Sequence, residues 1–296
     1  MFRTVAELLQ IAETEKIPIS EVMIRMEIEE SGRSREDIME QMGRNLEVME
    51  KAVERGINEN IRSRSGLTGG DAKLIQKYME SGKTLSGDTL LDAVSKAVST
   101  NEVNAAMGKI CATPTAGSAG VVPGVLFGLK PKLNPSREAM IRFLFTAGAF
   151  GFVVANNASI SGAAGGCQAE VGSATGMAAA AAVEMAGGTP EQSAHAMAIA
   201  LKNMLGLICD PVAGLVEVPC VMRNAMGAAQ AIVAADIALA GVKSVIPCDE
   251  VIEAMHVVGR RMPTIYKETA EGGLAATPTG RRLAEKIFGS QTSSGR

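Results

Sequence analysis

No stretch of this chain alternates apolar and polar residues over the length of a strand, while helix-start and helix-stop signals recur from end to end. A strand needs a period of two and a helix a period near 3.6, so the pattern selects helices. Thr4-Val5-Ala6-Glu7 has the form of a capping box ahead of Leu8, Leu9 and Ala12. Ser34-Arg35-Glu36-Asp37 opens a stripe of Ile38, Met42, Leu46, Met49 and Val53, which Gly56 is expected to close. Asp88 reads as the N-cap of a helix through Val103, and Pro135 with Ser136 opens another. Thr189-Pro190-Glu191-Gln192 starts a helix that runs to about Gly206. Residues 227–242 form an Ala-rich helix, Asp249 caps the one carrying Ile252 and Met255, and Thr279 starts a short last helix closed near Gly289. The expected fold class is all-α: a compact cluster of Gly/Ala-rich packed helices, with irregular Gly/Pro loops carrying the site. Three parts are expected, a helical N-terminal arm or subdomain over 1–60, a catalytic helical domain over 61–289 and a frayed tail over 290–296.

Composition removes several function classes. Hydrophobic residues make up 47% of the 296, which argues for a packed core rather than disorder. A net charge of −3, no basic block, 3% aromatics and no Trp leave neither an electrostatic footprint nor stacking platforms for nucleic acid. The first residues lack the apolar core of a secretory signal, and five scattered cysteines do not make a disulfide framework. A reducing, cytoplasmic setting is therefore expected. The apolar stretches 143–166 and 172–188 contain Asn156, Asn157 and Glu184, so they are read as buried helices rather than membrane spans.

Three of the cysteines stand apart. Cys209 and Cys220 lie in a segment broken by Pro211, Gly214 and Pro219, through which no regular helix can run. Cys167 follows the glycine-rich run that starts at Gly162, giving the spacing C-x41-C-x10-C. Such thiols are either buried and inert or metal-bound; the compact C-x2-C pairs of zinc and ferredoxin sites are missing. Cys111 and Cys248 read as inert buried thiols.

Other segments offer polar groups. Thr113, Thr115, Gly117, Ser118 and Gly120 form a small, hydroxylated, glycine-rich stretch ahead of an apolar run. It is either a structural turn or a cradle for a carboxylate or phosphate. Asn156, Ser159 and Ser161 either cap a helix or line a polar ligand. The run from Ser65 to Lys73 reads as a tight loop. Glu170 and Glu217, near the cysteines, could orient an amine, assist proton transfer or cap backbone amides. His195 and His256 fall within helices, where a packed or surface role is the plain reading.

At these residues a family resemblance emerges. Cys209-Asp-Pro-Val-Ala-Gly-Leu-Val-Glu-Val-Pro-Cys220 with Arg223-Asn224 resembles the signature of the iron–sulfur L-serine dehydratases. So do Gly166-Cys167-Gln168 with Glu170 and Gly172, and the 113–120 segment. The likeness covers residues 65–287 and is to the alpha subunit of the two-subunit form. It implies a [4Fe-4S] cluster held by Cys167, Cys209 and Cys220, with one iron left open. It implies conversion of L-serine to pyruvate and ammonia, in amino-acid degradation and gluconeogenesis. The 113–120 groups would then hold the substrate carboxylate, and Asn156, Ser159 and Ser161 the amine or the pocket wall. The family's beta chain has an ACT-like regulatory fold and carries a Ser-Ser-His-Thr-type motif, which is missing here. A heteromer is therefore expected, with the general base drawn from the partner chain or, within this chain, from Glu170 or His195. This sequence ends Ser-Ser-Gly-Arg, without the final cysteine by which some single-chain relatives reach the open iron.

Two rival readings stay open on the sequence. In a pyridoxal-phosphate lyase, Lys73 or Lys109 would form the Schiff base and the 113–120 segment would cradle the phosphate. In a non-catalytic helical interaction subunit, the cysteines would be merely buried.

Overall fold

A computed structural model describes residues 1–289, so the tail expected to fray, 290–296, lies outside the described residues. The elements are helical: α1 Val5–Glu15, α2 Ile19–Ser31, α3 Arg35–Asn58, α4 Asp71–Glu80, α5 Asp88–Ala105, α6 Val121–Leu133 and α7 Arg137–Asn157. They continue with the single turn α8 Gly162–Gly165, α9 Ser173–Met185, α10 Pro190–Lys202, α11 Cys220–Leu239, α12 Cys248–Arg261 and α13 Pro278–Phe288. No sheet forms among the described residues, and the all-α expectation holds; the sole β-type pairing recorded is an isolated bridge between Cys209 and Lys267.

The local start signals act as the sequence predicts in several places. Thr4 accepts from Glu7 N at 3.1 Å while Glu7 accepts from Thr4 N at 3.2 Å, closing the capping box of α1. Thr189 and Gln192 do the same for α10, and Ser34 and Ser136 cap α3 and α7.

Elsewhere tertiary packing overrules the local signal. Gly56 does not end α3, which runs on to Asn58. A Cβ at Gly56 would lie 2.6 Å from Ser99 O, so the glycine lets α3 press against α5. Asp88 is not a cap but the first residue of α5, after Gly87. Asp249 sits inside the first turn of α12, and its carboxylate instead accepts from Val5 N at 2.8 Å and Ala6 N at 3.0 Å, capping α1. The last helix is capped by Thr277, two residues before the expected start. α10 stops at Lys202 rather than near Gly206. α11 begins at Cys220, seven residues before the Ala-rich run, directly after Pro219. Cys220 is thus on a helix, not in the loop.

The interior is organised on two helices. Every residue from Ser173 to Val183 of α9 is buried, and α9 packs on α6, α7, α10 and α11. α5 packs on α3, α4, α6 and α11. The α5–α6 contact is unusually close because Gly120, Gly124 and Gly128 recur every fourth residue opposite Ala93 and Ala97. A Cβ on Gly124 would stand 2.7 Å from Ala97 Cβ, and one on Gly128 would stand 2.6 Å from Ala93 Cα. Small residues at this spacing let backbones approach and gain dispersion contacts along their length. The buried side chains of α1–α3 belong to the same apolar core as those of α7 and α9. Helix α7 is long and apolar enough to cross a membrane by composition, and 67% of its apolar window is buried inside the protein.

Candidate metal centre

The turn α8, the break at Gly166 and the helical run from Cys167 into α9 make one continuous piece. Between Cys167 and α9 the backbone widens into a π-helical turn, Gln168–Gly172. Such turns recur at functional sites because they re-aim successive side chains. Here the turn buries Cys167, Gln168 and Glu170 together. Gln168 fixes the piece: its Nε2 donates to Gly165 O and Met255 O at 3.0 Å each, and its Oε1 accepts from Gly206 N at 2.9 Å.

The second loop carries Cys209. Its N–H donates to Tyr266 O at 2.8 Å and its carbonyl accepts from Glu268 N at 2.8 Å, so the 264–268 segment lies along it. Next to it, the buried Asp210 pairs with Arg223 at 2.8 Å and accepts from Leu274 N at 2.6 Å. Arg223, one turn into α11, also donates to Ile208 O at 2.8 Å and places Nη1 3.5 Å from Cys167 Sγ.

The ligand atoms of Cys167, Glu170 and Cys209 lie within 4.8 Å of one another. A hydrogen bond from the Cys209 thiol, aided by the Arg223 cation, holds Cys167 below the usual thiol range; the same bond and burial push Cys209 up. Cys220 lies outside that tight trio. Burial, then the negative charges of Cys167 and Glu170, push it up to about 12. Burial also raises the Glu170 carboxyl, against the lowering effect of a hydrogen bond from Thr115.

Two glycines keep the space open. A Cβ on Gly162 would stand 2.7 Å from Glu170 Oε2 and 3.0 Å from Cys209 Sγ, and one on Gly117 would collide with the Glu170 carboxylate. The 113–120 stretch therefore faces Glu170. Within it the hydroxyls differ. Ser118 Oγ turns inward to Thr113 O at 3.1 Å and Thr113 Oγ1 toward Ala119 O at 3.5 Å, while Thr115 Oγ1 donates to Glu170. Gly120 starts the close α5–α6 contact.

The remaining candidates make their hydrogen bonds with partners other than Cys167, Glu170 and Cys209. Asn156 is exposed and donates back to Phe152 O at 2.8 Å at the end of α7. Ser159 Oγ accepts from Ser161 N at 3.1 Å, and Ser159 lines a small cavity of about 80 Å³ with His256 and Arg260. His195 Nδ1 accepts from Ser244 N at 3.3 Å, and its Nε2 is 3.5 Å from Glu191. Glu217 is buried, accepting from Ser65 at 2.8 Å and Thr68 at 3.0 Å, so it ties down the loop ahead of α4, which ends at Gly70 because α4 already begins at Asp71 rather than beyond Lys73. Lys73, half-buried, donates to Asn60 at 2.8 Å. Sequence reasoning gave no role to Asp210 or Glu268, nor to the asparagines behind the 113–120 stretch. Glu268 carries no motif; Asp210 and Asn224 stand within the cysteine signature, which was the one available signal.

Similarity to known proteins places this helical chain with its clustered cysteines in a family. The family described as "Serine dehydratase alpha chain" matches residues 14–275, and the chain belongs to that family. It is 72% identical over 289 residues to the probable L-serine dehydratase alpha chain of Bacillus subtilis, covering 98% of this chain and 96% of that one. It is 42% identical over 283 residues to the L-serine dehydratase alpha chain of Peptoniphilus asaccharolyticus, covering 96% and 97%. An Escherichia coli L-serine dehydratase is 37% identical over 280 residues, but this chain spans only 61% of its length.

The donor set fits an iron–sulfur cluster. Three thiols offer soft ligands, which select iron–sulfur chemistry over hard cations. A cation, Arg223, already faces one of them, as an anionic cluster would need.

Proposed function

We propose that this chain is the catalytic alpha chain of an iron–sulfur L-serine dehydratase, converting L-serine to pyruvate and ammonia. The observation that carries this reading is the convergence of Cys167, Cys209 and Glu170 opposite the Thr115–Gly117 face, with Cys220 at the head of α11 beside them. Cys167, Cys209 and Cys220 would hold a [4Fe-4S] cluster. When bound, that cluster supplies a Lewis-acidic iron for a reaction whose leaving group, hydroxide, is poor.

The chain's own residues do the rest. The Thr115 hydroxyl and the Gly117 N–H, which now face the Glu170 carboxylate, are donors suited to the substrate carboxylate. Arg223 offsets the charge of Cys167 and, through Asp210, fixes the Cys209 loop. Glu170, kept protonated more readily by its burial, can hold a proton at its carboxyl where hydroxide departs as water. The enamine left by loss of water becomes an imine and hydrolyses to pyruvate and ammonia. The α-proton goes to a base on a beta chain with an ACT-like fold, because neither histidine of this chain has a partner in the site. Cysteines that must stay reduced suit a cytoplasmic setting.

Purification without oxygen, co-expressed with the beta chain, tests the reading. A broad brown absorption that air bleaches, with pyruvate formed from L-serine, is expected. A sharp yellow band that survives air would replace the proposal with pyridoxal-phosphate chemistry. A colourless, inactive protein after iron and sulfide reconstitution would leave an interaction subunit.

A further inference from the structure

Behind the face that points at Glu170 stand three asparagines. Asn104 and Asn101 come from the last turns of α5, and Asn224 comes from the first turns of α11. Asn104 Nδ2 donates to Ala116 O at 3.0 Å. Asn224 Nδ2 donates to Gly117 O at 2.7 Å, with Asn101 Nδ2 at 3.4 Å from the same oxygen. Asn224 Oδ1 accepts from Gly120 N at 3.0 Å, and its Nδ2 also reaches back to Cys220 O at 2.9 Å. Asn101 and Asn224 are fully buried.

In a planar trans peptide the carbonyl and the N–H point in opposite directions. A donor that draws a carbonyl backwards therefore turns the N–H of the same unit forwards. Holding Ala116 O from behind aims the Gly117 N–H, on the residue whose Cα faces the Glu170 carboxylate. Holding Gly117 O from behind likewise turns the Ser118 N–H to the front. Only a donor can do this: an aspartate would repel both carbonyls, and a leucine would leave them buried without partners.

We infer that Asn224, with Asn101 and Asn104, is the positioning device that turns the 116–118 peptides into a carboxylate-binding face. Because Asn224 lies one helical turn after Cys220 and bonds to its carbonyl, it also sets the distance between that face and the metal-binding thiols. None of the three touches the substrate; each acts through the backbone it holds. This inference rests on the L-serine dehydratase reading for its substrate, but the clamp itself is a property of the chain.

The test uses the anaerobic holoenzyme with its beta chain, as wild type, Asn224→Ser and Asn104→Ala. Loosening the backbone behind a group that binds a carboxylate should raise the KM for L-serine about tenfold in Asn224→Ser, which removes the amide bonded to Gly117 O and Gly120 N, and about threefold in Asn104→Ala, which loses a single bond. The kcat at saturation should stay within about twofold, with the visible cluster absorption per chain unchanged. An unchanged KM in both variants overturns the inference. So does loss of cluster absorption in step with activity, which would mean that Asn224 merely braces the cysteine helix. Should Asn224→Ser fail to fold, Asn104→Ala, at a half-exposed position, decides. Should the wild-type holoenzyme not consume serine, the enzymatic reading fails and the clamp is judged separately. Amide hydrogen exchange of residues 113–120 must then speed up in Asn104→Ala, and unchanged exchange overturns it.

Discussion

Helices α1–α3 and the α5–α6–α9–α11 centre are both helical packings, yet they are held together differently. In the first, long side chains do the work: Leu8, Ile19, Ile24 and Leu46 are fully buried, with Phe2 just ahead of α1, and charged networks cover the outside. Glu21 alone meets Arg25, Arg35 and Arg142. In the second, the contacts are glycine and alanine against backbone, and polar side chains are buried on purpose: Asn101, Asn224, Glu102, Gln168 and Asp210. A buried polar group is costly unless bonded, so such a centre is specified by its hydrogen bonds rather than by volume alone. The centre holds backbone in place beside the cysteines.

The sharpest way to break that contrast is at the thiols. Removing an outer partner of a metal ligand typically costs 10–100-fold, so removal of a ligand itself in Cys209→Ser should abolish turnover by more than about a hundredfold and abolish the visible absorption. Cys248 is equally buried, at the start of α12, but has no place among the clustered ligands. Cys248→Ala should keep iron content and activity. Normal iron and activity in Cys209→Ser would remove Cys209 from the ligand set.

Next comes the same substitution in both regions. In α3, a Cβ on Gly43 would meet only Ile141 Cδ1 at 3.6 Å and Arg137 Nη2 at 3.9 Å, ordinary contacts. Gly43→Ala should therefore stabilise by about 0.5–1 kcal/mol, the helix preference of alanine. At Gly128 the new Cβ would lie 2.6 Å from Ala93 Cα and 2.8 Å from Ala93 N, backbone atoms that cannot step aside. There overpacking outweighs propensity, and Gly128→Ala should destabilise by about 1–3 kcal/mol. Urea melts of the two variants decide; equal signs would erase the distinction between the regions.

The same contrast explains what the sequence disclosed. Start signals at Thr4, Ser34, Ser136 and Thr189 are local, since donor and acceptor lie within three residues, and each was legible. Asp249 looked like a local cap but serves α1, 244 residues away, and only the fold creates that pairing. Pro211 and Pro219 hid the true start of α11, because a proline can precede a first turn as easily as break one. The cysteine spacing alone favoured inert thiols over a metal site, because the compact C-x2-C pairs are missing, and the family signature turned the reading toward metal. Glu268 and the pairing of Asn104 with Ala116 were illegible, since both depend on which loops the helices bring together.

Asp249 offers the next, smaller effect. Asp249→Ala leaves the first two N–H groups of α1 without their carboxylate and should destabilise by about 1 kcal/mol. Asp249→Asn, which keeps an acceptor, should recover most of it. If Asp249 instead capped α12, helix content lost on melting would map to residues 248–261 rather than to the N-terminus, which hydrogen exchange separates.

An effect of similar size, lost in acid, probes the charged periphery through pH. Hydrogen bonds from Arg35 hold the Glu21 carboxyl far below its ordinary 4.5, at about 2. A depressed carboxylate stabilises the fold fully above the unfolded value and loses that contribution as pH falls through the folded value. The window is thus from about pH 4.5 down to about 2. Taken whole, the displacement would be worth about 3 kcal/mol. The side chains of Arg25 and Arg35 are 52% and 39% exposed, so solvent screening leaves about 1 kcal/mol. Glu21→Gln should therefore lower stability by about 1 kcal/mol at pH 7, and the two melting curves should converge as the pH approaches 2. A gap that stayed constant from pH 7 to pH 2 would mean that Glu21 contributes through packing against α7 rather than through charge, and the periphery would then resemble the centre more than its composition suggests.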